Sequence, residues 1–439
     1  MRIIIGTKPA RGAPAQRRPG AAAAATIGAM REERSAGEGQ ADDGAGPGYR
    51  TVVAGLALGQ ILAWAILYYG FASLVLPMMR ELGWAKATLM GAFTLALLVW
   101  GLVNYAVGAA IDRGHGRAVL TGGALLGALG CLCWAMARAP WMLYAAMGLV
   151  GAAAAMTLYD PAFAVLAKRY PARYREAITW LTLVAGFAST LSFPALAALV
   201  HALGWRATLL VLAGVLGLVV APLHAWLLRA GTIVRSTLRR EGQAAGLTLH
   251  AALRTPAFWQ LGLAFTILAF IGPGLWAHML PALQAKGLSE AQAVSVLVWI
   301  GPAQVLGRFA YAWMGRGLSL HRLGVMVTVA MPLALLLFAA GGSLASLLLF
   351  AAVFGLANGL STIVRGSLVP ACFGHANIGR IGGALATLSL VAQAAAPVAI
   401  AGLLLALGGY VQVLLVLAAL GAVGAIAFAR VKPPQLGSS

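Results

Sequence analysis

Three charged residues stand inside long apolar stretches of this 439-residue chain: Asp160, Arg308 and Arg365. A charge near the centre of a lipid bilayer costs about 2.5–3.5 kcal/mol, so it indicates a cavity, a partner or a function. Asp160 is the only acid well inside a stretch. It is open to three interpretations: a proton-coupling group, one partner of a gate salt bridge, or a residue close to a loop. The two arginines favour an anionic ligand.

Arg308 has Gln304 one helical turn before it on the same face. Gly301 and Pro302 precede this pair and are expected to break the helix. The guanidinium is a planar fork that can hold a carboxylate through two parallel hydrogen bonds. We therefore expect Arg308 to contact an anionic substrate, with Gln304 beside it. The alternative is a gate arginine that is held by backbone carbonyls.

Arg365 extends a polar helix face that begins at Asn358 and has two hydroxyl residues between them. This face predicts a cavity wall on which Asn358 and Arg365 contact the substrate. An equal alternative is that Arg365 reaches the membrane surface, because a loop is expected near Pro370. Asp160 holds nearly the same place in the first half of the chain as Arg365 in the second. The two are therefore expected to face each other across the cavity.

Gln60, Trp64 and Tyr68 fall four residues apart, so they share one helix face, and Tyr69 lies alongside. This face is either a polar and aromatic wall that contacts the substrate or ordinary helix packing. We keep all four residues as candidate substrate contacts.

His278 follows a Gly-Pro-Gly sequence at 272–274, which is expected to break the helix that carries it. An imidazole in such a place could titrate near neutrality and serve as a proton-coupling or gate group. A position near the outer surface is equally compatible with the sequence.

The composition places these residues in a membrane protein. Of all residues, 61% are hydrophobic and 10% are charged, whereas about a quarter are charged in soluble domains. The apolar stretches are about 20 to 25 residues long, enough to cross about 30 Å of hydrocarbon. We predict an all-α membrane protein with twelve transmembrane helices in two pseudo-symmetric six-helix bundles. The predicted spans are 51–78, 86–111, 118–137, 141–166, 176–200, 207–228, 257–284, 290–314, 322–342, 344–368, 380–405 and 409–430.

The polar segments divide the chain. We predict a disordered cytoplasmic tail at 1–50, bundles at 51–228 and 257–430, a cytoplasmic linker at 229–256 and a second cytoplasmic tail at 431–439. With spans of alternating direction, 24 of the 31 Lys and Arg residues lie on the side of both termini and 5 on the other. The positive-inside rule then predicts a multi-pass protein of the plasma (inner) membrane with both termini cytoplasmic.

The same loop bias accounts for the net charge of +20, so no nucleic-acid partner is expected. Three cysteines make no disulfide framework, and the sequence has no phosphate-binding loop, H-E-x-x-H or C-x-x-C motif. We expect no cofactor, no metal and no enzymatic activity. The expected partners are the lipid bilayer and a small-molecule substrate, with a gradient as the energy source and a coupling proton as an option. The protein is expected to work as a monomer.

Residues 108–117, GAAIDRGHGR, are the one place where a long apolar run stops at a tight, basic, glycine-rich turn. The turn resembles the loop signature of the major facilitator superfamily, and the layout is similar over 51–430. The matching residues are Gly108, Asp112, Arg113, Gly116 and Arg117. The resemblance implies a gating loop whose aspartate meets a helix N-terminus of the opposite half, as the helix dipole favours. A second copy of the loop has Gly315 in place of the aspartate, so a symmetric pair of latches is not expected.

Three further stretches resemble the oxalate/formate and monocarboxylate branch of that superfamily: YYGF at 68–71, ELGWAKA at 81–87 and GRFAYAWMGRG at 307–317. In that branch an arginine of the eighth helix holds the carboxylate, and the matching position is Arg308. The resemblance implies secondary transport of a small organic anion, such as a monocarboxylate, by alternating access. The alternatives are efflux of a neutral or cationic drug or metabolite, and a membrane sensor of the same fold that transports nothing.

Overall fold

The computed structural model describes residues 47–229, 246–314 and 317–434. Several predicted features fall outside the described residues: the tail up to 46, the linker residues 230–245, Gly315 of the second loop copy, and the residues after 434. The part of the linker that is described contains a short helix, Leu249–Leu253.

Eleven stretches of the described residues are helices long and apolar enough to cross a membrane. One of them, Pro171–Leu227, contains two spans that meet at Gly204. The fold is therefore all-α with twelve spans, which confirms the predicted fold class. The spans are α1 Tyr49–Leu82, α2 Lys86–Asp112, α3 Gly116–Ala135, α4 Pro140–Arg169, α5 174–203, α6 205–227, α7 Pro256–Ala285, α8 Glu290–Met314, α9 Leu320–Ala340, α10 Leu344–Phe373, α11 Ile378–Leu407 and α12 Tyr410–Ala429.

The turn between α5 and α6 depends on a glycine. Gly204 has a φ of 75°, in the left-handed region that glycine adopts without strain. The next two residues hold α6 to the end of α1, because Trp205 Nε1 and Arg206 Nε both donate to the Glu81 carboxylate, at 2.5 and 2.9 Å. Arg206 also donates to the Ala137 carbonyl at 3.0 Å. One carboxylate thus ties together helix ends on one side of the N-terminal half (α1–α6).

α4 is broken at Leu158 into α4a, Pro140–Thr157, and α4b, Tyr159–Arg169. Pro161 has no N–H to donate to the Thr157 carbonyl four residues earlier, so an unbroken helix would leave that carbonyl without a partner. Gln60 Nε2 of α1 donates to it instead, at 2.7 Å. Backbone groups inside a membrane need such partners. The break, which the sequence analysis did not predict, places Asp160 in the first turn of α4b.

The breaks predicted in α7 and α8 are wrong. α7 continues through the Gly-Pro-Gly sequence at 272–274, and α8 continues through Gly301 and Pro302. A proline removes one backbone hydrogen bond, which membrane helices tolerate through local adjustment and neighbouring helices. α10 likewise continues through Pro370 to Phe373. Arg365 is therefore about two turns from the helix end, not beside a loop as the surface alternative required.

The N-terminal half meets the C-terminal half (α7–α12) where α2 crosses α11. The crossing needs glycine on both helices, because a Cβ on Gly108 would overlap the carbonyl of Gly379. A Cβ on Gly383 would lie 2.8 Å from the Asn104 carbonyl oxygen. The two backbones are therefore in direct contact, as small residues permit between membrane helices.

A second close approach lies within the C-terminal half, between α8 and α10. Gly355 and Gly359 are four residues apart on α10 and face α8. A Cβ on Gly355 would lie 2.6 Å from the Ile300 carbonyl oxygen, and one on Gly359 would overlap the Gln304 carbonyl. The backbone of α8 is thus pressed against α10 one turn before Arg308.

Candidate substrate cavity and gate

A cavity of about 2100 Å³ lies between the two halves. Helices α1, α2, α4b and α5 line it from the N-terminal half, and α7, α8, α10 and α11 line it from the C-terminal half. Most residues that the sequence analysis singled out lie on its wall. They are Trp64, Tyr68, Tyr69, Asp160, His278, Gln304, Arg308, Asn358 and Arg365.

Gln60 is not on the cavity wall, so the prediction that it shares a substrate-facing surface with Trp64 is wrong. Its side chain is fully buried and is bound to the Thr157 carbonyl. A π-helical turn at Ala65–Tyr69 follows Trp64 and alters the phase of the four-residue stripe. The amide of Gln60 is therefore a structural donor for the break in α4.

Arg308 is the most buried charged side chain of the cavity wall, with 6% of the residue exposed. Its Nε donates to the Gly359 carbonyl at 3.0 Å. Within the described part of the chain, neither Nη atom makes a hydrogen bond, and no carboxylate lies within 4.0 Å of the guanidinium. The arginine is thus positioned by one backbone contact and keeps its fork unpaired.

The space for this guanidinium comes from a turn in α5. The helix is interrupted at Gly186 and Phe187, and a Cβ on Gly186 would overlap Arg308 Nη1. Any larger residue at 186 would therefore displace the guanidinium. The sequence analysis does not single out either residue. The relation of Gly186 to a helix more than a hundred residues away could not be seen from the sequence.

Asp160 and Arg365, which the sequence analysis expected to face each other across the cavity, are in direct contact and form an ion pair that joins the two halves. Arg365 Nη2 donates to both carboxylate oxygens, at 2.9 and 3.0 Å, and Asn104 Nδ2 of α2 donates to Oδ2 at 2.9 Å. The side chains are 20% and 33% exposed. Asp160 also lies in the first turn of α4b, where the helix dipole favours a carboxylate. Whether the carboxylate additionally takes up a proton stays a prediction.

Beyond this pair lies a second, small cavity of about 40 Å³. Asp160 and Arg365 line both cavities, so the ion pair separates them. The small cavity also touches Gly108 and Gly379 at the crossing of α2 and α11. At roughly 10–15 Å³ for each water, it has room for about three water molecules.

Asp112 follows Ile111 and binds the Gly379 amide, and both of these residues line the small cavity. Its Oδ1 accepts from the Gly379 amide at 3.0 Å and its Oδ2 from the Arg380 amide at 2.8 Å. These amides belong to the first turn of α11, so the carboxylate meets a helix N-terminus of the opposite half, as the resemblance implied. Lys168 of α4b adds an ion pair at 3.2 Å. We call these contacts the latch, and this end of the helices the latch side.

The other residues of the loop signature have smaller parts. Arg113 Nε donates to the Ala109 carbonyl of its own helix, at 3.2 Å. Gly116 packs against Val165, where a Cβ would come within 2.8 Å of that side chain. Arg117 is exposed and makes no hydrogen bond to any described residue.

More contacts join the halves on the latch side, and the sequence analysis missed them. The Tyr174 hydroxyl donates to the Gly366 carbonyl at 2.7 Å. Arg175 Nε donates to the Tyr311 hydroxyl at 2.7 Å, and Lys168 Nζ donates to the Ala376 carbonyl at 3.0 Å. Each joins residues 136 to 208 positions apart, and no local pattern marks such pairs.

His278 lies on the cavity wall far from the latch. Its Nε2 is 3.0 Å from the Pro397 carbonyl oxygen of α11, and its ring is 6.3 Å from that of Tyr410, the first residue of α12. α12 ends on the latch side and begins on the opposite side. His278 therefore lies toward the open end of the cavity, which is the surface alternative of the sequence analysis.

His375, in the turn between α10 and α11, is a further titratable group at the latch. Its ring packs edge-on against Tyr174 at 5.8 Å, and its Nδ1 is buried without a partner among the described residues. Burial lowers the pKa of His375 from its ordinary value, the charge of Lys168 lowers the pKa further, and a hydrogen bond to the Ala167 carbonyl acts in the opposite direction. Asp112, which pairs with Lys168, is the other nearby charge. The neutral imidazole thus fits the closed latch.

Comparisons with known proteins agree with this architecture. The family model described as Major Facilitator Superfamily matches residues 56–397. Monocarboxylate transporter 13 of Rattus norvegicus is 25% identical over 280 residues, which cover 62% of this chain and 63% of that protein. The match therefore spans less than two thirds of the relative's length.

Solved structures resemble the fold over nearly the whole chain. The human organic anion transporter MFSD10 (TETRAN) has a TM-score of 0.66 at 18% identity, covering 87% of this chain and 100% of that one. The E. coli fucose:proton symporter FucP (N162A) has a TM-score of 0.66 at 15% identity, covering 86% and 97%. At these identities the likeness shows the fold alone.

The ion pair of Asp160 and Arg365 gives a first test. Asp160→Asn or Arg365→Gln alone leaves one charge without its partner, whereas the double variant removes both. We expect the two losses in unfolding free energy to be non-additive, with a coupling of about 0.5–3 kcal/mol. Unfolding of the four proteins by SDS in mixed micelles measures it.

The matched control is the exposed pair of Arg173 and Glu176, whose side chains are 47% and 46% exposed. Arg173→Gln and Glu176→Gln should couple by no more than about 0.2–1 kcal/mol. Additive losses at Asp160 and Arg365, or a coupling no larger than in the control, would contradict the pairing.

His375 gives a second test, through pH. With the latch open the imidazole regains an ordinary pKa near 6.5, whereas the closed latch lowers its pKa. The closed arrangement is therefore fully stabilised above about pH 6.5 and is weakened as the pH falls toward the lowered pKa. A cysteine at Ala164, which lines the small cavity, should be labelled by a thiol reagent faster at acidic pH, in a protein without the native cysteines.

The labelling rate is divided at each pH by that of His375→Gln, which removes the pH dependence of the thiol itself. His250→Gln is the matched control, because His250 is an exposed residue of the short helix after the linker. It should keep the wild-type profile. Equal profiles in wild type and His375→Gln would show that the imidazole does not control the latch.

Proposed function

The chain belongs to the major facilitator superfamily, and from this premise we propose that it moves a small organic anion with one negative charge across the membrane by alternating access. It is a multi-pass membrane transporter, not an enzyme. Its substrate is a small molecule. The anion and the details of its movement are the proposal.

The observation that carries the proposal is the unpaired fork of Arg308. A largely buried guanidinium without a counter-ion is costly, because the charge has lost most of its hydration and gained no opposite charge. A substrate carboxylate supplies that partner through two parallel hydrogen bonds from the Nη atoms. The Nε bond to Gly359 leaves both Nη atoms for this purpose.

The charge balance of the wall sets the charge of the substrate. Asp160 already neutralises Arg365. Among the Asp, Glu, Lys and Arg residues that line the cavity in the described part of the chain, Arg308 is the one without a counter-ion. A monoanion therefore balances the cavity, whereas a cation would be repelled. Two of the similar proteins are a monocarboxylate transporter and an organic anion transporter, which supports the choice.

We further propose that the latch lies on the cytoplasmic side of the plasma (inner) membrane, with both termini, because most loop Lys and Arg residues are on that side. In this orientation the cavity is closed toward the cytoplasm by the latch and the ion pair of Asp160 and Arg365. A reporter that functions only outside the cytoplasm, fused after Ser439, should be inactive. Its activity would overturn the orientation.

Proton coupling, if the cycle includes it, would act at Asp160, the only carboxylate that lines the cavity among the described residues. A proton there would remove the charge that holds Arg365 and so release the inner ion pair. FucP, a protein of similar fold, is a fucose:proton symporter. In transport vesicles, an imposed pH gradient that leaves the initial uptake rate unchanged would remove the proton from the scheme.

The test of the substrate role is made at Arg308. Arg308→Lys keeps the charge but loses the planar fork, so the half-saturating concentration should rise several-fold. Arg308→Gln should abolish uptake of a radiolabelled monocarboxylate into reconstituted vesicles. Equilibrium binding in detergent should weaken in parallel, with each 1.4 kcal/mol lost lowering affinity about tenfold.

Arg322→Lys is the matched control, since Arg322 is an exposed residue in the first turn of α9 and does not line the cavity. It should leave binding and uptake unchanged. Undiminished anion binding by Arg308→Gln would refute the substrate role. Wild-type binding of neutral or cationic compounds in place of anions would favour efflux of such compounds. Binding without uptake would favour a membrane sensor.

A further inference from the structure

The two walls of the cavity differ in chemistry, and we propose that the transported anion carries an aromatic ring that binds the wall formed by α1, α2 and α4b. This inference rests on the proposed function, because it takes the carboxylate of the substrate to be held by Arg308. It adds the chemical class of the group attached to that carboxylate: an aryl group in preference to an aliphatic one.

Aromatic residues are concentrated around the cavity. They make up 13 of its 49 lining residues, against 8% of the whole chain, an enrichment of about threefold. Nine of the 13 belong to the N-terminal half: Trp64, Tyr68, Tyr69, Phe93, Trp100, Tyr159, Phe163, Phe187 and Phe193. We call the group centred on Trp64 and formed with Tyr68, Tyr69, Trp100 and Tyr159 the aromatic wall.

Trp64 is the centre of the aromatic wall. Its ring centroid lies 5.0 Å from that of Tyr159, 5.3 Å from Tyr68 and 5.9 Å from Trp100. All of these rings line the cavity, but Trp100 is almost fully buried, whereas Trp64, Tyr68 and Tyr159 are only partly buried. Trp100 packs against both Trp64 and Tyr68, so the wall offers a packed aromatic surface to a ligand.

The opposite wall carries most of the charged and amide side chains that line the cavity. Arg308, Gln304 and Asn358, with further hydroxyl and amide groups of α10 and α11, lie on the C-terminal half. Arg308 and Tyr159 line the same cavity. The anion-binding fork and the aromatic wall therefore face one shared space. A ligand with a carboxylate at one end and a ring at the other contacts both.

The sign of the charge excludes the other common occupant of an aromatic cage. Clusters of Trp and Tyr bind quaternary ammonium groups through the negative faces of their rings. Here Asp160, Arg308 and Arg365 together leave one net positive charge on the described lining, so a cation is disfavoured. A neutral aromatic ring suits the wall, since aromatic pairs attract beyond their buried area.

Equilibrium binding to the purified full-length protein in detergent tests the inference with benzoate and cyclohexanecarboxylate. The two acids share their charge and nearly their size, and they differ in the ring. We expect benzoate to bind about tenfold more tightly, and acetate to bind more weakly than either. Benzyl alcohol has the ring without the carboxylate. Added at the concentration at which benzoate saturates the site, it should not displace bound benzoate.

Substitutions locate the preference. Trp64→Leu and, separately, Tyr159→Leu should reduce benzoate affinity several-fold and leave cyclohexanecarboxylate affinity nearly unchanged. Trp141→Leu is the matched control, because Trp141 is 71% exposed and does not line the cavity, and it should bind both acids as wild type does. Two independent variants are used in case one of them misfolds. The comparison of the two acids on the wild-type protein tests the inference without either variant.

The outcomes separate the inference from the proposed function. If wild type binds benzoate and cyclohexanecarboxylate equally, or if both aromatic-wall variants weaken the two acids alike, the aromatic site is overturned and anion transport stands. If wild type binds none of the carboxylates, the proposed function fails, and the inference fails with it.

Discussion

A backbone inside a membrane must satisfy its own hydrogen bonds, and this constraint decides where the chemistry of this protein lies. α4 is broken after Thr157, and Pro161 has no amide hydrogen to offer the Thr157 carbonyl. Gln60 supplies the missing donor, which allows the helix to break and restart at Tyr159. The restart gives Asp160 a helix N-terminus, where a carboxylate is stabilised. A core packing residue thus fixes the position of the only carboxylate on the described cavity wall.

A similar local irregularity serves the opposite charge. The turn of α5 at Gly186 leaves room for the Arg308 guanidinium, and the contact between α8 and α10 at Gly359 orients its Nε. A straight α5 with a larger residue at 186 would have filled that space. The positions of Asp160 and Arg308 therefore both depend on places where a helix departs from regular geometry or lacks a side chain.

Two barriers close the cavity on the latch side, and they use the same kind of contact. Asp112 accepts hydrogen bonds from amides at the start of α11. Asp160, which lies at the start of α4b, binds Arg365 of α10. Each joins a carboxylate of the N-terminal half to a donor of the C-terminal half. The small cavity adjoins both barriers and is large enough for a few waters. On the proposed mechanism, opening toward the latch side must break both.

The sequence predicted the parts of this arrangement that depend on composition and on isolated signals. Charges in apolar stretches marked Asp160, Arg308 and Arg365, and the repeat relation paired Asp160 with Arg365. The positions of helix breaks were wrong, because a proline or glycine breaks a membrane helix only when neighbours can satisfy the freed backbone groups. α8 continues through Pro302, whereas α4 breaks before Pro161, where Gln60 binds the freed carbonyl. The partners of Tyr174, Arg175 and Gly186 depend on tertiary distances that no local pattern carries.

The charge balance also bears on how the loaded protein can move. Each elementary charge carried through the membrane field changes in free energy by about 2.3 kcal/mol per 100 mV. With Asp160 paired to Arg365, the empty cavity holds the single charge of Arg308, and a bound monoanion brings the sum to zero. The free energy of rocking the loaded protein is then nearly independent of the membrane potential. The empty protein, in contrast, moves the charge of Arg308 through the part of the field that the cavity spans. On the proposed mechanism the buried guanidinium therefore has two effects. It selects the sign of the substrate's charge, and it makes the movement of the occupied state the one that depends least on the membrane potential.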